Sequence, residues 1–348
     1  MRTYITIDIG GTAIKYGVLR EDERFLVQRE TPTLAATRRG PGIVRHVREC
    51  IAPLVQEYRP AGIAVSTAGM VDPERGEIFY SAPLIPDWAG TPLKALLEEA
   101  FQLPCEVEND VNCAGLAESR SGAGKGKNFC LCLTIGTGIG GCLVSDGQIY
   151  HGAGNSALEV GYLKLPGGDF QDLASTKALV ERVERALRAD GDAARQAASM
   201  AAAGGDAARQ ADAMATADGY AARLAGAAIP ENGALPPLPA GGLNGKIIFD
   251  RAIKGDALCV RAIDEMAETL GLGIANLCYV LNPDAVILGG GVMAQEAYLR
   301  PRIEAALGRS LLPHIAARTA LLFAAYRNEA GMLGAFYHFQ DKQEKPNL

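Results

Sequence analysis

The sequence predicts an α/β protein built from two related lobes, and three observations carry that prediction. The chain has 348 residues, more than one ordinary core needs and a comfortable length for two. Strand-like apolar runs alternate with helical periodicity along most of it. Two stretches also start alike, each as strand, glycine-rich turn and strand, at Thr3 and again at Phe129. That is a weak internal repeat, of the kind two related lobes would leave.

The elements follow in order. Thr3 to Ile9 reads as a strand that breaks at Gly10-Gly11, and β character resumes from Lys15 to Leu19. This is a hairpin with a glycine turn, not a strand feeding a helix. Ile43, Val47, Ile51, Leu54 and Val55 give residues 41–58 helical spacing. Gly62 to Thr67 is a buried strand that ends in an Ala68-Gly69 turn. Pro92 to Phe101 is a short helix, with Thr91 as its N-cap and Pro92 at its first position. Cys105 to Glu108 is a strand with Asn109-Asp110 at its exit, and a helix follows through Glu118.

The second half opens with a strand from Cys130 to Ile135, a turn from Gly136 to Gly140 and a strand from Gly141 to Ser145. Leu173 to Leu187 is helical. Ala257 to Leu281 is a long helix, stopped by Asn282-Pro283. Ala285 to Leu288 is a short strand leading into Gly289-Gly290-Gly291. Residues 189–242 stand apart. They are rich in Ala, Gly and Asp, repeat Gly191–Ala197 as Gly205–Ala211, and end in Leu235-Pro-Pro-Leu-Pro239. They read as an inserted Ala-rich helical excursion with a linker-like exit.

Bulk properties exclude several classes. Hydrophobic residues make up 48% of the chain, enough for a sizeable core. A formal net charge of −6 disfavours nucleic acid as the main partner. There is no basic segment followed by a long apolar stretch, and no apolar run approaches ~18 residues. A cytoplasmic protein without a membrane span is expected. The eight cysteines are scattered, several within apolar runs, and read as small buried residues rather than a disulfide framework.

Four segments carry chemistry. In Asp8-Ile-Gly-Gly-Thr-Ala-Ile-Lys15 the paired glycines let backbone N–H groups approach an anion, and Asp8 could hold the water shell of Mg²⁺. An ordinary hairpin turn accounts for Gly10-Gly11 equally well. In Leu133 to Gly141, four glycines within six residues exceed what a turn requires, and Thr134 and Thr137 add hydroxyl donors. The segment is neither a Walker A loop nor a dinucleotide fingerprint. Two such hairpins facing each other would cradle a triphosphate. In Glu108-Asn-Asp-Val-Asn112, Asp110 suits a base for a sugar hydroxyl and Asn109 an orienting partner, while a helix N-cap is the plainer alternative. In Gly154 to Tyr162, Glu159 sits amid apolar residues, where a carboxylate is costly unless paired or used.

With these residues in hand, the chain closely resembles the ROK family (repressors, open reading frames, kinases) of the sugar kinase, Hsp70 and actin superfamily, nearly throughout except residues 189–242. Asp8 to Lys15 resembles the family's first phosphate motif, Glu108 to Asn112 its catalytic motif, Thr134 to Gly141 its second phosphate motif, and Gly289 to Gly291 its adenosine-side glycines. The resemblance implies two actin-like (ribonuclease H-like) α/β lobes with the site in the cleft between them. It implies residues 1–112 as one lobe, completed by a C-terminal helix at 329–346, and 113–328 as the other. It implies Asp110 as base, with Asn109, Glu159, Asn155 and the loop Ser66 to Gly69 on the sugar. Asp8, Gly10, Gly11, Thr12, Lys15, Thr137 and Gly138 would face ATP and its Mg²⁺, and Gly290 and Gly291 the adenosine end. A homodimer is also implied.

Two departures separate the chain from many family members. The histidine of the Glu-x-Gly-His motif is replaced by Tyr162, and residues 166–172 read Pro-Gly-Gly-Asp-Phe-Gln-Asp where a cysteine cluster would lie. A structural zinc normally needs four Cys or His ligands, so no zinc is expected. The pattern is most similar to the zinc-less β-glucoside kinase and N-acetylmannosamine kinase-like branch, with the hydroxyl of Tyr162 near the sugar. The expected reaction is transfer of the ATP γ-phosphoryl group to a hydroxyl, the 6-OH, of a hexose, an N-acetylhexosamine or a β-glucoside. The alternatives are a sugar-responsive repressor, disfavoured because the first glycine motif begins at residue 8, and a non-catalytic sugar-binding protein, disfavoured by Asp110.

Overall fold

A computed structural model describes residues 1–81, 85–202, 242–326 and 328–344. The first half contains β1 (Thr3–Ile9), β2 (Ala13–Arg20), β3 (Phe25–Pro32), α1 (Ala35–Tyr58), β4 (Ile63–Thr67), β5 (Met70–Asp72), β6 (Glu77–Tyr80), α2 (Leu93–Phe101), β7 (Cys105–Asn109) and α3 (Asp110–Arg120). The second continues with β8 (Phe129–Ile135), β9 (Ile139–Ser145), β10 (Gln148–Ile149), β11 (Lys164–Leu165), β12 (Gly168–Asp169), α4 (Phe170–Ala174) and α5 (Thr176–Ala202). It closes with α6 (Gly245–Ile253), α7 (Ala257–Leu281), β13 (Ala285–Gly289), α8 (Glu296–Ser310), α9 (Pro313–Ala316), β14 (Ala320–Phe323) and α10 (Ala330–Glu344).

Two five-stranded sheets share one design. Their orders are β3-β2-β1-β4-β7 and β10-β9-β8-β13-β14. In each, three consecutive antiparallel strands are followed by two parallel ones. The weak repeat in the sequence is therefore a repeat of topology, and the fold is two α/β lobes of the actin-like kind.

Strand alternation divides the core into three. Ile5, Ile7 and Ile9 point to one face of β1 and pack with α1, while Tyr4 points to the other and packs with α10. Likewise Leu131, Leu133 and Ile135 enter the core beneath α7, while Cys130 and Cys132 enter the middle cluster. That middle cluster joins the lobes. It holds α3, which follows β7 in the chain but lies on β8 and β9, and α10, which lies on β1, β4 and β7. The two helices touch closely because glycine lets them: a Cβ at Gly334 would lie 1.7 Å from the Cys113 carbonyl oxygen. Seven of the eight cysteines are buried and all are free thiols.

Local expectations fared unevenly. The main part of α1 starts after a break at Arg39, just before Pro41, and α7 ends at Asn282 in the left-handed conformation, as the sequence predicts. Thr91, however, does not cap α2. Its backbone is drawn into a β-bridge with Ile78, and the helix begins at Leu93 without a side-chain cap. The helix expected from Leu173 is split at Ser175, whose Oγ accepts the Ala178 N–H. Gly191–Ala197 of the Ala-rich insertion lies in α5; its second copy and the Pro-rich exit lie outside the described residues.

Candidate active site

The parallel strands β1, β4 and β7 run in register, aligning Asp8, Ser66 and Glu108 near their carboxyl ends. Such ends are where open α/β sheets present ligand groups. Asp8 lies directly across the β1–β2 ladder from Lys15, and Lys15 Nζ stands 3.6 Å from Asp8 Oδ2. Ser66 Oγ donates to Asp8 Oδ1 at 2.7 Å. Burial raises the Asp8 carboxyl above its ordinary range, against the pull of Ser66 and Lys15. The first turn of α10 approaches closely: a Cβ at Gly331 would sit 2.7 Å from the Asp8 carboxylate.

Asn109 and Asp110 turn β7 into α3. Asn109 Oδ1 accepts the N–H groups of Val111 and Asn112 at 2.9 and 3.0 Å, a helix N-cap. Its Nδ2 donates to the Gly69 carbonyl at 2.9 Å and to Asp110 Oδ1 at 3.0 Å. The plainer reading of Asn109 as a cap is thus met, and the same side chain also orients Asp110. Asp110 Oδ1 further accepts the Val111 N–H at 2.9 Å. Burial, together with the charge of Asp8, raises the Asp110 carboxyl to about 7.

Two cavities meet at this turn, and another adjoins the first of them. One of about 500 Å³ is walled by Asp8, Gly10, Lys15, Asp110 and Thr134, and extends past Gly290 and Gly291. A second, of about 870 Å³, adjoins it at Gly291 and Ala294 and carries Thr137 and Lys177. A third, of about 190 Å³, meets the first at Val111 and is lined by Gly69, Asn109, Asn155, Glu159 and Tyr162. The Glu159 carboxylate has no hydrogen-bond or ion-pair partner among the described residues, and desolvation by burial raises its carboxyl. Gly290 is required for close approach. Its φ is 103° and a Cβ there would lie 2.2 Å from the Ile135 carbonyl.

The sequence reading and the structure part at several residues. Gly11, Thr12 and Gly138 lie outside the walls of these cavities. Ser66 and Thr67 do not line the third cavity: Ser66 holds Asp8, and Thr67 Oγ1 accepts from Trp88 Nε1 at 3.2 Å, so both are wholly buried. Residues 164–169 form the small β11–β12 hairpin, closed by an ion pair between Lys164 and Asp169. Among the described residues no three His, Cys, Asp or Glu side chains gather to hold a metal ion, and no helix is long and apolar enough to cross a membrane.

The ROK family model matches residues 4–342. The chain belongs to the ROK family. An uncharacterised protein of Clostridium perfringens is 40% identical over 345 residues, spanning 99% of this chain and 100% of that protein. The beta-glucoside kinase of Klebsiella pneumoniae is 30% identical over 344 residues, with 98% and 97% covered. A ROK family glucokinase from Streptomyces griseus, solved in complex with glucose and AMPPNP, superposes with a TM-score of 0.73 at 28% identity, over 96% of this chain and 97% of that one.

Sequence reasoning left some polar residues of this ROK chain without a role. Glu118, at the far end of α3, is buried and accepts the N–H groups of Ala123, Ala325 and Tyr326 at 2.9, 3.0 and 2.6 Å. It ties α3 to the loop beyond β14, which lines the first cavity. Glu108 is wholly buried, with His151 and His338 against it. A buried carboxylate inside a strand pattern was the one signal available for Glu108, and nothing near either histidine in sequence pointed to it.

Proposed function

We propose that this protein is an ATP-dependent sugar kinase that transfers the γ-phosphoryl group to a hydroxyl, the 6-OH, of a hexose, an N-acetylhexosamine or a β-glucoside. The observation that carries this reading is the placement of Asp110. It lines a phosphate-side cavity with Asp8, Lys15 and glycine backbone, one residue before Val111, where that cavity meets a smaller polar cavity with the unpaired Glu159. Its carboxyl, raised to about 7, suits a base working near neutrality.

In this reading the small cavity takes the sugar. Glu159 accepts hydrogen bonds from neighbouring hydroxyls, with Asn155, Gly69 and the Tyr162 hydroxyl around the ring. Asn109 keeps Asp110 in place. Both hydrogen bonds that orient Asp110 fall on Oδ1, so Oδ2 is assigned to receive the proton. As the sugar oxygen bonds to the γ-phosphorus, the bond from phosphorus to the β-phosphate oxygen breaks, the hydroxyl proton passes to Asp110 and ADP leaves. Lys15 and the N–H groups of the glycine turns, Gly11-Thr12 and Thr137-Gly138, are assigned to charge on the phosphates, with Gly10 closing its turn through the Ala13 carbonyl, and Gly290-Gly291 borders the adenosine. The Asp8 carboxylate would hold the water shell of Mg²⁺, which when bound would neutralise charge on the phosphates.

Residues 1–112 with α10 form the lobe that carries Asp8 and Asp110, and 113–328 the lobe that carries Glu159 and the second glycine turn. Closure of one on the other would exclude water that could hydrolyse ATP. We place the enzyme in the cytoplasm as a homodimer. The test is ADP release with glucose, mannose, N-acetylmannosamine and cellobiose, followed by NMR of the product to locate the phosphate. Turnover of none of them above the ATP-only rate would overturn the kinase reading, and phosphate at another hydroxyl would overturn the 6-OH assignment.

A further inference from the structure

The carboxylate of Glu108 lies one residue before Asn109 and is wholly buried at the junction of three elements. Its Oε1 accepts the Asn109 N–H at 2.7 Å and Asn112 Nδ2 at 3.0 Å. Both residues line the small cavity. Its Oε2 bonds His151 Nε2 at 2.6 Å, and His338 Nδ1 of α10 stands 3.6 Å away. Burial alone would raise this carboxyl. The hydrogen bond from His151, the neighbouring His338 and the hydrogen bond from Asn112 outweigh it, and the carboxyl lies below its ordinary range. A buried charge is tolerated when it is paired and hydrogen-bonded in this way.

His151 belongs to the opposite wall. It follows β10 in the second sheet, and its carbonyl accepts the Ala157 N–H at 3.2 Å. That bond closes the loop carrying Asn155, Ala157 and Glu159 over the cavity. The backbone of this loop is not relaxed by itself, since Leu158 has a φ of 63°, an angle a branched side chain rarely adopts. Non-glycine residues hold such angles only where surrounding contacts determine them. One carboxylate therefore grips both walls: through Oε1 the strand end that aims Asp110, and through Oε2 the loop that presents Glu159.

We propose that Glu108 and His151 are a positioning pair that fixes the sugar-side loop to the catalytic turn and so sets the distance between Glu159 and Asp110. Neither touches the reacting atoms. The inference rests on the assignment of the small cavity to the sugar. It predicts that loss of the His151 ring loosens sugar binding first, leaving the nucleotide side, which lies beyond Asp110, little changed.

The experiment compares the wild-type enzyme with His151→Ala and His151→Gln, whose amide can still donate to Glu108. His151→Ala should raise the KM for the sugar roughly tenfold to 100-fold, as displacement of a positioned group by about 1 Å does. The KM for ATP should change less than about threefold, and His151→Gln should recover most of the loss. Hydrogen exchange of residues 151–162 should rise in His151→Ala and return toward wild type in His151→Gln. Equal changes in both KM values, no rescue by glutamine, or unchanged loop exchange would each overturn the proposal. The exchange readout needs no turnover. If wild-type enzyme phosphorylates no sugar, the kinase reading fails, while the tie between loop and catalytic turn is still decided.

Discussion

Asp110 offers the most direct test of the chemistry, because its environment fixes the pH at which it can act. A base must be ionised before it takes the hydroxyl proton. An ordinary aspartate is ionised throughout the range where proteins are stable, and its rate would be flat from about pH 5 upward. Here burial first, and the Asp8 charge second, raise the carboxyl from 3.8 to about 7. With that value about one-tenth of the base is ionised at pH 6 and about nine-tenths at pH 8, so kcat/KM should rise about tenfold between them and then level. The measurement is ADP release at constant ionic strength with sugar well below its KM, since kcat/KM reports the free enzyme. Asp8→Asn removes the smaller cause, so it should move the midpoint toward lower pH without restoring the ordinary value, whatever it does to the absolute rate. Asp110→Asn should lose ~10²–10⁴-fold in turnover while still binding sugar. A flat profile from about pH 5 to pH 8, or an Asp110→Asn enzyme with half the wild-type rate, refutes the assignment.

Other expectations follow from single contacts. Glu159→Gln keeps the shape of the small cavity but removes the charge that receives two hydroxyls; the sugar KM should rise by about tenfold or more with the ATP KM nearly constant, as steady-state kinetics would reveal. Glu118→Ala removes the buried carboxylate that accepts three N–H groups, so urea denaturation should show a loss of about 1.5–3 kcal/mol, and an unchanged midpoint would contradict the tie described. Gly334→Ala would push a methyl against the Cys113 backbone, which cannot swing aside as a side chain can; a loss of about 1–3 kcal/mol or more is expected, measured by calorimetry, whereas Gly308→Ala, where a Cβ meets nothing within 4 Å, serves as the control.

Much of this protein could be read from its residues in order, for reasons that are local. Glycine clusters between apolar runs mark the two hairpins because glycine interrupts the apolar strand pattern where the chain turns. Asn282-Pro283 ends α7 because proline disfavours continuation and asparagine accepts the left-handed conformation. Asp8, Lys15 and Asp110 stand out because charged residues beside apolar strands are expensive and so tend to be used. Thr91 misled because a β-bridge to Ile78, a partner 13 residues away (91 − 78), competed for its backbone. Ser66 and Thr67 misled because strand register, not sequence neighbourhood, decided which of them met Asp8 and which met Trp88.

What the sequence determined alone was therefore the succession of elements, the repeated hairpin and the identity of the groups proposed for the phosphoryl chemistry. What only the tertiary structure decided was which distant groups meet. Glu108, His151 and His338 lie 43 and 187 residues apart (151 − 108 and 338 − 151), on a strand, a loop and the last helix, yet they share one carboxylate. The elevated carboxyl of Asp110 likewise comes from burial by both lobes and from Asp8, more than a hundred residues earlier. Propensity and periodicity act over a few residues. Desolvation and charge act through space, and only the packed fold fixes those distances.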